Sequence, residues 1–104
     1  IMLLFITNHA NMLSLPETMN GIVKRLAIKK KAYRDVYEVK RTENILVLGA
    51  SCIELDRESL GRLIVKDIKE MNYHRRPKSL GFELNGASYG TFCDPSEVLI
   101  VCKW

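Results

Sequence analysis

Eight basic residues crowd the eighteen positions between 24 and 41: Lys24, Arg25, Lys29, Lys30, Lys31, Arg34, Lys40 and Arg41, opposed only by Asp35 and Glu38. Positive charge concentrated in this way attracts polyanions and speeds their association. Tyr33 and Tyr37 lie among these cations, and an aromatic ring beside a cation suits a single strand, since one stacks a base while the other meets a phosphate. A second cluster, His74, Arg75, Arg76 and Lys78, flanks Pro77. Together these residues form the expected surface for a nucleic acid or for an acidic protein partner. A structural role competes with that reading at Lys29, Lys30 and Lys31, because cations in the last turn of a helix are favoured by its dipole.

Other chemistries find fewer residues. In the segment Arg34-Asp35-Val36-Tyr37-Glu38-Val39-Lys40, two carboxylates and a lysine have the types a metal-dependent nuclease strand uses, the carboxylates for a divalent ion and the lysine for developing phosphate charge. The separate upstream aspartate strand of such enzymes is missing, which leaves a metal-dependent or toxin-type ribonuclease as a third reading. His9 and His74 have no Cys or His at zinc-ligand spacing. Gly81, Gly86 and Gly90 do not form a phosphate-cradling pattern. The three cysteines, Cys52, Cys93 and Cys102, are odd in number and widely spaced. They read as reduced, mostly buried thiols in a cytoplasmic protein. No catalytic residue, metal ligand or cofactor is expected, and the chain reads as one that binds rather than one that catalyses.

The segment Leu4-Phe5-Ile6-Thr7-Asn8 is similar to the first ribonucleoprotein motif strand of RNA-recognition domains. That family stacks bases on aromatic side chains of its sheet, carried by a later strand as well. The stretch 45–53, which would be that strand here, contains no aromatic residue. Phe5 therefore reads as a core residue.

The elements that must position the basic residues follow from periodicity and turn chemistry. A strand is expected over 2–7. Ser14, Pro16 and Glu17 have the makings of a helix start, with Ser14 as cap, and Leu15, Met19, Ile22, Val23 and Leu26 then form an apolar stripe at helical spacing. The stretch 33–41 carries charges on both faces, as an edge strand does. The stretch 45–53 is apolar on both faces, as a central strand is. Asp56 is placed to cap a second helix whose Leu60, Leu63, Ile64, Ile68 and Met71 fall at i, i+3, i+4, i+8 and i+11. Strands at 80–84 and 87–92 flank Asn85-Gly86, a strong hairpin signal, and a last strand runs over 98–104.

This order, β-α-β-β-α, then a hairpin, then β, points to a single α+β domain spanning 1–104, a length suited to one domain and not to two. The expected arrangement is a ferredoxin-like split β-α-β sheet with two helices on one face and the strand over 2–7 in its centre. Its other face would be apolar, to be covered by the 80–92 hairpin or by a second copy of the chain in a homodimer. With 47% hydrophobic and 27% charged residues, the composition excludes a disordered tail and a fibre. No apolar run approaches the roughly 20 residues of a membrane-spanning helix, so no membrane association is expected.

The net charge of +4 and the two clusters favour a small non-enzymatic nucleic-acid or nucleoprotein-binding accessory protein. The alternative is a small regulator or inhibitor, of the kind phages and mobile elements encode, binding an acidic host protein.

Overall fold

The computed structural model describes residues 15–28, 35–71, 75–85 and 96–104. Helix α1 spans Leu15–Ile28 and is followed by strand β1, Asp35–Arg41. Strand β2 is Ile45–Ser51, helix α2 is Arg57–Glu70, and strands β3 and β4 are Ser79–Glu83 and Glu97–Lys103. All three ladders are antiparallel, and the sheet order is β1-β2-β4-β3.

Local chemistry accounts for these elements. Asp56 caps α2: its Oδ1 accepts from the Ser59 backbone N–H at 2.7 Å, satisfying one of the donors that the first helical turn leaves open. That bond holds the Asp56 carboxyl below the usual carboxylate range. The Thr42 hydroxyl accepts from the Ile45 N–H at 3.1 Å and tightens the β1–β2 turn. The Trp104 backbone N–H donates to Asn44 O at 2.9 Å and its Nε1–H to Arg75 O at 2.6 Å, so the end of β4 is tied to two loops.

Both helices pack on one face of the sheet. Met19, Ile22 and Leu26 of α1 and Leu60, Ile64 and Ile68 of α2 join Leu46, Leu48, Ala50, Val98, Ile100 and Cys102 in one buried core. Gly61 makes this close approach feasible: a Cβ there would lie 2.5 Å from the Phe82 ring. Burial of Cys102 in this core pushes its thiol up to about 12. On the opposite face Val47, Leu99 and Val101 are buried with Val39 and Ile45 packed against them, a cluster to which, among the described residues, only strands contribute.

The α+β class, the interior position of 45–51, the two helices on one face and, among the described residues, the edge position of 35–41 agree with the sequence. The ferredoxin-like order does not emerge from these ladders. The place beside β2 that this order gives to the strand over 2–7 is taken by β4, which pairs with β2 along its whole length, Ile45↔Lys103 to Ser51↔Glu97. The reason lies in composition: Val98–Cys102 is buried on both faces, so β4 has the same claim to the interior as β2. Residues 2–7 and 86–92, with the expected first strand and half of the hairpin, lie outside the described residues, as does Cys93. Among the described residues no helix is long and apolar enough to cross a membrane.

Candidate functional site

Register decides which charges meet. Arg41 of β1 opposes Leu46, which opposes Cys102, which opposes Leu80; one step further out, Ile45, Lys103 and Ser79 form the next row. The end of β1, the start of β2, the end of β4 and the start of β3 therefore share one end of the sheet. Lys78 sits just before β3, its backbone N–H donating to Lys103 O at 2.7 Å. The last turn of α2 arrives at the same end, because Arg76 Nη1 donates to Lys69 O at 2.9 Å. Lys40, Arg41, Lys69, Arg75, Arg76, Lys78 and Lys103 thus lie at this one end, from β1, α2, the 75–78 loop and β4, with Lys40 and Lys103 in the rows of Val47 and Ile45 on the face away from the helices. Among the described residues the acidic ones nearby are Glu38 of β1, Glu43 in the β1–β2 turn, and Asp67 and Glu70 in the last turn of α2.

The opposite end is acidic. Asp35 opposes Ser51, which opposes Glu97, and Glu83 ends β3. Glu54, Asp56 and Glu58 lie between β2 and the first turn of α2. Among the described residues Arg57 and Arg62 are the cations there: Arg57 donates to Leu84 O at 2.8 Å, and Arg62 pairs with Glu58 at 2.6 Å.

The cations of the basic end differ in their commitments. Arg41 is engaged in structure, bonding Glu38 Oε1 through Nε and Nη2 at 3.0 and 2.5 Å and Asn20 Oδ1 of α1 at 2.8 Å. Residues three apart in a regular strand face opposite sides, but the irregularity between Glu38 and Lys40 inserts the extra residue that brings Glu38 and Arg41 together. Lys40, Lys69, Arg75, Lys78 and Lys103 are exposed, and none of their side chains pairs with an acidic group among the described residues. Lys69, Arg76 and Lys78 line a pocket of about 370 Å³ walled by Pro77 and Leu80.

The residues singled out in the sequence divide accordingly. Lys40, Arg41, Arg75, Arg76 and Lys78 come together. Lys24 and Arg25 are exposed on α1, one turn beyond the Asn20 that Arg41 holds. Tyr37 turns toward the acidic end: its ring covers Gly49 and its hydroxyl donates to the Glu97 carboxylate. Lys29, Lys30, Lys31, Tyr33, Arg34 and His74 lie outside the described residues. The nuclease-like triplet is dispersed. Asp35 belongs to the acidic end and Glu38 is held by Arg41, and among the described residues no three His, Cys, Asp or Glu side chains cluster to hold a metal ion.

Sequence reasoning missed Lys69, Lys103 and Trp104. Lys69 read as the outer face of a helix and Lys103 as the tail of a strand, and only the strand order makes them neighbours. The signal available was a cation at the end of each of β1, α2 and β4. No protein-family model matches this chain, and neither a curated protein nor a solved structure matches it.

Proposed function

We propose that this chain binds nucleic acid through the basic end of its sheet, by contacts to the phosphate backbone. The observation that supports the reading is the position of Lys40, Lys69, Arg75, Lys78 and Lys103, exposed and without acidic partners among the described residues, at one end of a sheet whose other end is acidic in its described residues. A charge gradient along the molecule orients an approaching polyanion before contact. Four strands at about 4.8 Å spacing make this end about 14 Å wide. That width covers about four phosphates of one strand, at about 3.4 Å of axis per charge. Contacts of this kind position a nucleic acid without reading its sequence.

Fluorescence anisotropy with labelled single- and double-stranded DNA and RNA across a salt series tests the reading. About four neutralised phosphates predict a slope of log K against log salt of about −3 for single strands and between about −3 and −4 for duplex DNA. Absence of binding at physiological salt, with an acidic protein captured instead, overturns it.

A further inference from the structure

We infer that the pocket between the last turn of α2 and the start of β3 is a subsite for a phosphate monoester, the terminal phosphate of a nucleic-acid end. The inference rests on the proposed nucleic-acid binding and adds a ligand group to it. A surface that only tracks a phosphodiester backbone needs exposed cations and no concavity. Here Lys69, Arg76 and Lys78 line one pocket of about 370 Å³, while Lys40, Arg75 and Lys103 do not line it. The two exposed lysines, Lys69 and Lys78, already exceed the single charge of a phosphodiester. A monoester carries about −1.5 to −2 at neutral pH and three acceptor oxygens, a closer match.

The carboxylates of Asp67 and Glu70 in the same turn of α2 oppose an anion, as does the end of the helix itself, and the pocket is arranged against the second of these. The C-terminal end of a helix carries partial negative charge on its open carbonyls. Arg76 Nη1 takes the Lys69 carbonyl at 2.9 Å, which covers one of those carbonyls and fixes the guanidinium at the pocket wall. A planar guanidinium matches phosphate oxygens in geometry better than an ammonium does. Pro77 and Leu80 supply an apolar wall for the sugar or base attached to the phosphate. The volume falls within the usual range for small-ligand pockets, about 300–1,000 Å³.

The test compares one short single-stranded oligonucleotide in three forms, with a 5′-phosphate, a 3′-phosphate or hydroxyls at both ends, by anisotropy at fixed salt. A nucleoside monophosphate is titrated separately and followed by ³¹P NMR. The expected result is binding of one phosphorylated form about tenfold tighter than the hydroxyl form, the size of one added charge-assisted hydrogen bond. Lys78→Ala should erase that difference. Lys103→Ala, outside the pocket, should weaken all three forms and keep it. Arg76→Lys, which retains the charge and loses the planar fork, should reduce the difference without removing the salt dependence. Equal, salt-dependent binding of all three forms overturns the subsite and leaves the proposed function standing. Binding of the nucleoside monophosphate with no binding of any oligonucleotide keeps the monoester site and overturns nucleic-acid binding. Binding of none overturns both.

Discussion

The two ends of the sheet are built from the same four strands and carry opposite charge. At one end Lys103 and Lys78 are joined through a backbone hydrogen bond, with Lys69 and Arg76 brought alongside by the end of α2. At the other end the described cations are committed: Arg62 to Glu58, Arg57 to the Leu84 carbonyl. The comparison teaches that total charge says little about a binding surface. What matters is which charges are left exposed by structure, and where register puts them.

Reversing charge at one end and then at the other is the sharpest way to break this comparison, and it carries the largest expected effect. Lys69→Glu/Lys78→Glu/Lys103→Glu should lower nucleic-acid affinity by about 100-fold or more near physiological salt, since withdrawing three cations from the phosphate backbone reduces the salt slope by about 3. Glu54→Lys at the acidic end should leave affinity unchanged or raise it slightly. Equal losses from both, measured by anisotropy, would dissolve the distinction between the ends.

Next in size is a packing effect that touches neither end. Gly61→Ala places a methyl 2.5 Å from the inner atoms of the Phe82 ring, which cannot swing away as a chain tip does. Overpacking of this kind costs about 1–3 kcal/mol, with about 1 kcal/mol recovered from helix propensity. Urea unfolding should show a lower midpoint with nucleic-acid affinity per folded molecule intact. A stabilised variant would mean that α2 does not press on β3.

Arg41 separates structure from binding within the basic end itself. Its bonds to Glu38 and Asn20 make it the link between β1 and α1. Arg41→Ala should therefore lower the unfolding midpoint, whereas Lys40→Ala, one residue away, should leave stability alone and reduce the salt slope by about 1.

The smallest effect belongs to the acidic end and depends on pH. Asp56 has its carboxyl pKa lowered by the Ser59 backbone N–H. A lowered folded-state value means the ionised carboxylate stabilises the fold above the unfolded pKa of about 3.9, and that this contribution is lost as pH falls through the folded value. Asp56→Ala should be less stable than the parent at pH 7, with the gap closing in acid, as followed by circular dichroism during urea unfolding. A gap that does not change with pH would remove the charge from this account of the cap.

Much of the fold was legible in the sequence because its signals are local. The apolar stripes of α1 and α2, the Asp56 cap and the mixed charges of β1 each depend on a few neighbouring residues. The strand order depends on which of two doubly apolar strands lies beside β2, and periodicity cannot rank 2–7 against 98–102. The candidate site was half legible for the same reason. Arg75, Arg76 and Lys78 form a run in the sequence, so they were found. Lys69 and Lys103 are scattered along the chain and become neighbours only through the β4 pairings and the Arg76–Lys69 bond. Tyr37 shows the reverse case. It sits within a basic segment, yet its ring lies over Gly49 with its hydroxyl on Glu97, because side-chain direction in a strand is set by register and not by sequence neighbours.

The central claim is that one end of the sheet is the binding surface, and chemical-shift mapping tests it most directly. A short single-stranded oligonucleotide is titrated into ¹⁵N-labelled protein and the backbone amide signals are followed. The account predicts shifts concentrated at Lys40, Arg41, Lys69, Arg75, Arg76, Lys78, Lys103 and Trp104, shrinking as salt is added, with Glu54, Glu83 and Glu97 unmoved. Shifts centred on Lys24 and Arg25 of α1 or on the Glu83–Glu97 end would contradict it.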